Sequence, residues 1–382
     1  MTGQSLQDTI DAAGGALQML RNARGGGYPF PIPPEFTNWR DEQAAWKSTA
    51  VLFDQSHHMT DIYFSGPDTG RLLSDVGINN FANFGRDKAK QFVACSAEGH
   101  VIGDAILFGL EDDQFSLVGT PIVPNWVAYR AETGGYDVEI RRDERTIANP
   151  AGRRIFRFQL QGPDALRIVE RASKGTLPAI KFFNIGEFTI AGCPVRALNH
   201  TMTGIPGQEM TGLEMWGPVV ESGAVLEALL EAGTDFGLRQ GGAIAYSTTA
   251  VESGWLGMPF PALYADESME SYRKYLGAGG FEGTASVGGS FHSAHIADYL
   301  CTPWDLGYGR LVSFGHDFTG RESLQQRIDE PHRRKVWLRW NDEDVARVLT
   351  QSLFGDRPRP KFLKIPFTAY STFEYDSVLV DG

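Results

Sequence analysis

Residues 156–164 read FRFQLQGPD, and residues 61–68 read DIYFSGPD. In both stretches apolar and polar residues alternate as they do in a β-strand, and Gly-Pro-Asp follows directly. A helical pattern comes next, GRLLSDV in the earlier unit and ALRIVERA in the later one. Glycine allows a sharp turn, proline suits the first helical turn, and an acid is favoured near a helix N-terminus. The chain therefore contains two related strand–turn–helix units, which predicts two duplicated lobes.

Further strands are predicted between and after these units. Residues 88–110 and 113–120 have the pattern of hairpin-connected strands, and residues 181–198 form a third strand-rich region. Helices are predicted from Leu6 to Asn22 and from Val219 to Ala232. Because strands and helices do not alternate regularly, the sequence predicts an α+β fold. No glycine-rich nucleotide-binding fingerprint follows a strand, so nucleotide binding of those types has no support.

The composition excludes several classes of protein. The chain has 382 residues with 35 Lys+Arg against 47 Asp+Glu, a net charge of −12, which disfavours nucleic-acid binding. Three widely separated cysteines fit neither a disulfide framework nor a metal cluster. The N-terminal segment lacks the pattern of a secretory signal, and no apolar run is long enough to span a membrane. We therefore expect a cytoplasmic protein.

The polar residues do not form a familiar metal or nucleophile motif. His57 and His58 are adjacent, so they would face opposite sides of a strand. His292 and His295 are three residues apart, but no further ligand pattern completes a zinc site. No Gly-x-Ser-x-Gly elbow is present for acyl transfer. The sequence therefore predicts no metal, and aromatic, acidic and amide residues near glycine turns would suit a flat organic ligand.

Four short blocks carry a resemblance to a known family. They are FDQSHHM (53–59), GHVIGD (99–104), TGLEMWGP (211–218) and the pair PWDLGYG (303–309) with HDFTGRE (316–322). In this order they resemble the folate-dependent aminomethyltransferase superfamily, which includes the glycine-cleavage T-protein. Through KFFNIGEFTIAG, ESGW and GGSF the chain is most similar to the branch of tetrahydrofolate-dependent O-demethylases of methoxylated aromatic acids.

The resemblance implies an architecture. We expect an aminomethyltransferase-like folate-binding fold, with two interleaved α+β lobes around a central pocket, over residues 1–330. Residues 331–382 would begin a C-terminal β-barrel-like domain, which starts at Lys335–Trp340 and stops at Asp376–Gly382, a strand with no partner strand after it. Because an unpaired strand at the end of the chain is an aggregation liability, we expect this β-domain to be incomplete.

The resemblance also implies an activity and a cofactor. The chain would remove the methyl group of a small methoxylated aromatic compound, with tetrahydrofolate as the acceptor, to give a phenol and 5-methyltetrahydrofolate. Where the T-protein pattern has two adjacent acids, this chain has Gly103-Asp104, which lowers the case for aminomethyl transfer. Transfer from a sulfonium, N-methyl or aminomethyl donor, or folate binding without catalysis, remain alternatives.

Three catalytic residues are assigned from the resemblance. Tyr246, in AIAYSTT, matches the active-site tyrosine of the demethylase branch and would donate a proton to the ether oxygen. A tyrosine, with a pKa of about 10, is protonated at neutral pH. His58 would line the same pocket, and Asp104 would hold a folate nitrogen or the substrate. Each has a structural alternative, because Tyr246 could cap a strand, His58 could be a core residue and Asp104 could be a turn residue.

Cofactor and substrate contacts complete the expected site. Glu214 would pair with the amide and amino donors of the pterin, Gln55 would lie beside it, and Phe183 and Trp255 would stack on the folate. The two aromatic residues could instead belong to the core.

Tyr28, in the proline-rich stretch YPFPIPPEF, His58 and Thr120 are assigned to the methyl donor. The O-demethylase branch that the chain resembles includes enzymes that act on vanillate. Thr120 stands where those enzymes have an arginine, which would clamp a benzoate carboxylate by two hydrogen bonds. The carboxylate is therefore held elsewhere, or the donor is not a simple benzoate.

Overall fold

The computed structural model describes residues 3–23, 31–175, 177–202, 212–354, 359–360, 366 and 370–380. Its strands are β1 (Val51–Asp54), β2 (Thr60–Ser65), β3 (Ala89–Cys95), β4 (Val101–Gly109), β5 (Gln114–Gly119), β6 (Glu139–Asp143), β7 (Ile155–Gln161), β8 (Ile185–Ile190), β9 (Cys193–Asn199), β10 (Gly212–Pro218), β11 (Arg239–Gly241), β12 (Val287–Gly288) and β13 (Phe373–Glu374). Its α-helices are α1 (Leu6–Ala12), α2 (Ala16–Asn22), α3 (Trp39–Ser48), α4 (Thr69–Val76), α5 (Ile122–Thr133), α6 (Ala165–Ser173), α7 (Ser222–Gly233), α8 (Ala243–Ser253), α9 (Glu270–Tyr275), α10 (Arg321–Gln326) and α11 (Asp342–Phe354). This mixture confirms the α+β fold class.

The two Gly-Pro-Asp turns have the same backbone geometry. Gly66 joins β2 to α4 with φ at 132°, and Gly162 joins β7 to α6 with φ at 131°. A β-carbon at Gly66 would lie 2.5 Å from the carbonyl oxygen of Asp137, and one at Gly162 would lie 2.6 Å from that of Thr49. Only glycine meets both the conformational and the steric demand. The matched turns support the predicted duplication of the strand–turn–helix unit.

The two units belong to two different sheets. The first sheet has the order β11-β1-β7-β10-β9-β8, and the second has the order β3-β4-β5-β2-β6. Helices α6 and α7 pack on the outer face of the first sheet, where Ile168 and Leu229 join an apolar cluster with Phe156 and Leu160 of β7. Helices α4 and α5 cover the second sheet in the same way, through Leu72 and other apolar residues. The predicted two-lobed architecture is therefore present.

The inner faces of the two sheets meet in a separate cluster. Phe108 of β4 and Trp216 of β10 contact each other edge to face, with ring centres 5.2 Å apart. Val118 and Leu198 add one apolar residue from each sheet. Successive side chains of a strand point to opposite faces, so side chains two or four residues apart share a face. Glu214, two residues before Trp216, and Asp104, four residues before Phe108, therefore also point into the space between the sheets. That space contains the candidate site.

Two helix predictions need correction. The segment predicted as one helix from Leu6 to Asn22 forms α1 and α2, because Gly14 and Gly15 adopt positive φ values of 78° and 130° and interrupt it. The helix predicted at Val219 begins as a 3-10 turn, Val219–Glu221, before α7.

None of the helices in the described part of the chain combines the length and apolar character needed to cross a membrane.

The strand predicted at Asp376–Gly382 is wrong over its described residues, 376–380, which form no strand. Lys335–Trp340, where the β-domain is expected to begin, forms no strand either, and Val336, Trp337, Leu338 and Trp340 are exposed. A β-strand needs a neighbouring backbone for its hydrogen bonds, and the described residues supply none here. After residue 330, the described chain forms α11 and the short strand β13, which pairs in parallel with β12. The described residues contain no closed barrel, and the domain boundary near residue 330 stays a prediction.

Candidate active site

Glu214 lies in the space between the sheets, on the inner face of β10. Alternation along β10 directs Leu213 and Met215 towards the helices and Glu214 towards the second sheet. The side chain is buried, with one carboxylate oxygen on the guanidinium of Arg157 and the other 3.2 Å from Nε2 of His200. Burial alone would raise the pKa of Glu214, but Arg157 and His200 outweigh it and lower the pKa to about 2. Glu214 is therefore an ionised carboxylate at neutral pH.

Arg157 connects this carboxylate to the other sheet. Its second Nη donates to Oδ1 of Asp61 on β2 at 2.5 Å, and Asp61 also accepts from Arg153 at 2.5 Å. Burial opposes the charge of Arg157, but Asp61 and Glu214 raise its pKa. The sequence prediction missed this ion network. The available signal was the alternation of Arg157 with phenylalanines in FRFQLQ, which places the arginine on the inner face of β7.

Tyr246 and His58 form a pair beside Glu214. Tyr246 lies in the first turn of α8, so the alternative that it caps a strand is wrong. Its hydroxyl and Nε2 of His58 share a hydrogen bond of 2.8 Å. Burial lowers the pKa of His58 to about 4, whereas burial and the charge of Glu214 raise the pKa of Tyr246 above its usual value. At neutral pH the tyrosine is therefore protonated and the histidine is uncharged.

Two buried amide oxygens in this region have no hydrogen-bond partner within the described residues. They are Oε1 of Gln55 and Oε1 of Gln159. The amide nitrogen of Gln55 contacts Sδ of Met202 at 2.5 Å, and that of Gln159 donates to the carbonyl of His200 at 3.1 Å. A buried acceptor without a donor costs about 1–3 kcal/mol. Together with ionised Glu214, these acceptors fit a ligand ring that carries several N–H donors.

Asp104 forms a second cluster on the inner face of β4. It lies within a strand, so the alternative that it is a turn residue is wrong. Its carboxylate accepts from Nε2 of Gln91 at 2.7 Å and from Nε1 of Trp255 at 3.3 Å, and the hydroxyl of Tyr308 lies near both donors. Burial raises the pKa of Asp104 to about 6, although these hydrogen bonds act in the opposite direction. Asp104 is therefore suited to exchange a proton near neutral pH.

Helix α8 joins the two clusters. Tyr246 is near its start, and Trp255 follows directly after its C-cap, Gly254. The residues from Tyr246 to the end of the helix span about 10 Å. The two clusters are therefore spaced for an elongated ligand rather than a compact one.

The remaining predicted residues are placed as follows. Phe183 is partly buried and faces His200 edge-on at 5.8 Å, which places it beside the Glu214 cluster. Trp255 is 43% exposed and points its indole N–H at Tyr308 and Asp104. Thr120 directly follows β5. The last residue of β5 pairs with Thr60, the first residue of β2, so Thr120 lies at the same end of the sheet as the segment that connects His58 to β2. Tyr28 lies outside the described residues.

Within the described residues, no group of three or more His, Cys, Asp or Glu side chains is placed to hold a metal ion. His57 pairs with Asp54 at 3.5 Å and with the Thr146 hydroxyl at 2.8 Å, whereas His58 contacts Tyr246. The two histidines therefore contact different partners.

Comparisons with known proteins identify the family. Residues 21–259 match the model of the GCVT N-terminal domain. The syringate O-demethylase of a Sphingobium species is 46% identical over 99% of this chain and 81% of its own length. The sesamin methylene transferase of a Sinomonas species is 31% identical over 92% of this chain and 77% of its length. The solved aminomethyltransferase T of Bartonella henselae is 18% identical, covers 81% of this chain and 72% of its own, and superposes with a TM-score of 0.57.

The chain belongs to the GCVT, or aminomethyltransferase, family. The match covers both strand–turn–helix units and the segment with Glu214 and Tyr246, and the solved structure shares the fold.

Proposed function

We propose that this protein is a tetrahydrofolate-dependent methyltransferase that removes the methyl group of a methoxylated aromatic compound. The proposal depends mainly on one observation, the protonated hydroxyl of Tyr246 held against neutral His58 beside ionised Glu214. The high identity to a syringate O-demethylase along nearly the whole chain supports the same reaction. In this reaction the methyl–oxygen bond breaks, a methyl–nitrogen bond forms, the accepting nitrogen loses its hydrogen as a proton, and the ether oxygen gains a proton.

Tetrahydrofolate fits the polar groups of the site. Its reduced ring carries several N–H donors, and the site supplies Glu214 and the unpartnered oxygens of Gln55 and Gln159 as acceptors. When bound, tetrahydrofolate supplies the ring nitrogen that accepts the methyl group. We place Phe183 and Trp255 along the rest of the molecule, and Asp104 at the far end of α8 from Tyr246.

Tyr246 protects the leaving oxygen from developing a full negative charge. Its hydroxyl carries its proton at neutral pH, so it can donate that proton as negative charge develops on the ether oxygen, which is the role of a general acid. His58 orients the hydroxyl through the 2.8 Å hydrogen bond. Asp104, with a pKa of about 6, can move a proton at the other cluster. Tyr28, His58 and Thr120 complete the proposed donor pocket.

The assay uses purified protein, tetrahydrofolate and a panel of methoxyarenes with and without a carboxylate. Liquid chromatography with mass spectrometry should show a phenol and 5-methyltetrahydrofolate in equal amounts. Turnover of none of the methoxyarenes would refute the proposal. We also propose that the substrate is a small molecule, that the protein has no nucleic-acid partner and that it acts in the cytoplasm. The net charge of −12 supports the lack of nucleic-acid binding.

A second candidate is one-carbon transfer from a different donor. It is favoured by Thr120, which can offer a carboxylate only one neutral hydrogen bond, and by the similarity to a sesamin methylene transferase. Including sesamin, a sulfonium and an N-methyl compound in the panel separates the two. Product from one of these, without product from any methoxyarene, would favour the second candidate.

A further inference from the structure

Lys335, in the segment that follows residue 330, contacts the end of helix α8. Its Nζ donates to the carbonyl of Gly254, the C-cap of α8, at 2.8 Å. The last carbonyls of a helix have no partner within the helix and carry partial negative charge, so an ammonium group is favoured there. The next residue, Trp255, donates to Asp104 at 3.3 Å. Lys335 therefore stabilises the turn from which Trp255 reaches the Asp104 cluster.

The same ammonium group borders the turn that carries Tyr308. A β-carbon at Gly307 would lie 4.0 Å from Nζ of Lys335. The residues that follow Gly254 and Gly307 contact each other, because Nε1 of Trp255 donates to the hydroxyl of Tyr308 at 2.9 Å. Lys335 therefore lies at the junction of the two turns that supply aromatic partners to the cluster.

Other contacts anchor the segment that carries Lys335. The backbone N–H of Arg333 donates to Oδ1 of Asp305 at 2.8 Å, and its guanidinium lies 3.3 Å from Oδ2. The rings of His332 and Trp304 stack with their centres 4.8 Å apart. These contacts do not involve the lysine, so a substitution of Lys335 should leave the segment in place.

The positive charge of Lys335 acts on the carboxylate of Asp104. Burial raises the pKa of Asp104, and the charge of Lys335 opposes this effect. Burial lowers the pKa of Lys335, and the charge of Asp104 opposes that effect in turn. The side chains around the carboxylate are neutral: Gln91 and Trp255 are hydrogen-bond donors, and burial raises the pKa of Tyr308 far above its usual value. Lys335 therefore adds a positive charge to a group of neutral partners.

We propose that Lys335 is a positioning residue of the Asp104 cluster. Its ammonium group holds the turns of Trp255 and Tyr308 together at the carboxylate and favours the ionised form of Asp104. With this cation in place, Asp104 can exchange a proton near neutral pH, whereas without it Asp104 stays protonated to higher pH. The inference rests on the proposed function only for the role of Asp104 in moving a proton.

The test follows the ionisation of Asp104 through the indole N–H of Trp255. The chain has eight tryptophans, so isotope-labelled indole groups give eight signals in a two-dimensional NMR spectrum, and Trp255→Phe identifies the signal of Trp255. Because this N–H donates to the carboxylate, its chemical shift should titrate with a midpoint near pH 6 in the native chain. Asp104→Asn should abolish the titration. His332→Gln, which removes the titratable ring of the same segment, should leave it unchanged.

We expect the midpoint in Lys335→Met to rise by about half a pH unit or more, because the loss of the cation makes ionisation of Asp104 less favourable. The Trp255 signal above the midpoint should also differ from the native one, since the turn at Gly254 loses its cationic partner. Lys335→Arg should keep the native midpoint. The matched control Arg339→Met, which removes a positive charge from an exposed residue of the same segment, should keep it as well.

An unchanged midpoint in Lys335→Met, or an equal rise in Arg339→Met, would overturn the proposal. The other indole signals show whether each variant is folded, and Lys335→Gln is titrated in place of Lys335→Met if that variant does not fold. Because the titration needs no turnover, a lack of methyl transfer in the methoxyarene panel would be seen separately, as a failure of the proposed function.

Discussion

The hydroxyl of Tyr246 lies 2.8 Å from Nε2 of His58, and the two residues come from elements far apart in the chain. Phe53 packs against the tyrosine ring, with ring centres 5.5 Å apart, and fixes its orientation. The pair therefore presents one protonated hydroxyl next to the ionised carboxylate of Glu214.

Tyr246→Phe should lower kcat by about 100-fold or more, because a positioned general acid contributes on the order of 10²–10⁴. Tetrahydrofolate affinity should change little, since in the proposed mechanism the hydroxyl acts on the ether oxygen. Stopped assays for 5-methyltetrahydrofolate and calorimetry measure the two effects. Tyr136→Phe, which removes a hydroxyl that donates to Asp75 at 2.8 Å, serves as the control and should keep full kcat. A Tyr246→Phe enzyme within threefold of the native kcat would contradict the assignment.

Asp104 should make the folding stability depend on pH. Burial raises its pKa from 3.8 to about 6, so the folded protein binds more protons than the unfolded chain between these values. This contribution to stability is fully present below pH 3.8 and is lost as the pH rises through 6. Asp104→Asn, which stays neutral, should therefore gain about 1–2 kcal/mol relative to the native protein between pH 4.5 and pH 7.5.

Urea unfolding at the two pH values measures this difference. Asp329→Asn replaces an exposed acid and should show no such gain. A constant difference between Asp104→Asn and the native protein across the range would mean that the carboxyl group does not have a raised pKa.

Arg157 and Glu214 should be energetically coupled. Arg157→Met removes a cationic partner from the buried carboxylates of Glu214 and Asp61. It should therefore lower the free energy of unfolding by about 3–5 kcal/mol. In the double variant with Glu214→Gln the cost should be clearly less than the sum of the single costs, because the unpaired carboxylate is removed as well. Urea unfolding of the four proteins gives the coupling energy.

The exposed pair Arg196 and Glu187, 2.6 Å apart on neighbouring strands, provides the matched cycle. Its coupling should stay below about 1 kcal/mol because solvent screens the charges. Additive costs at Arg157 and Glu214 would show that the two side chains do not stabilise each other.

The sequence was most informative about local structure. The turn at Gly-Pro-Asp after an alternating strand depends only on residues that are neighbours in the sequence, and both predicted turns are present in the structure. The ion network of Asp61, Arg157 and Glu214 was missed because it depends on how two sheets face each other, which no local pattern contains. The strand expected at Asp376–Gly382 is absent from its described residues for a related reason, since the local sequence does not supply the partner backbone that a strand needs.

Thr120→Arg should increase the preference for methoxylated acids. A guanidinium can bind a carboxylate with two hydrogen bonds, whereas the threonine hydroxyl forms one neutral hydrogen bond. We expect the ratio of kcat/KM for 3,4-dimethoxybenzoate to that for 3,4-dimethoxytoluene to rise by about tenfold. Thr120→Met controls for side-chain size and should not raise the ratio. An unchanged ratio in Thr120→Arg would place Thr120 away from the acid group of the substrate.

The most direct test of methyl transfer uses syringate whose methoxy groups carry three deuterium atoms each. The labelled acid, tetrahydrofolate and the purified protein are incubated without oxygen, and both products are analysed by mass spectrometry. We predict 5-methyltetrahydrofolate with all three deuterium atoms in its methyl group, in equal amount to the new phenol. Phenol formed without labelled 5-methyltetrahydrofolate, or labelled 5-methyltetrahydrofolate formed equally well without the protein, would contradict the account.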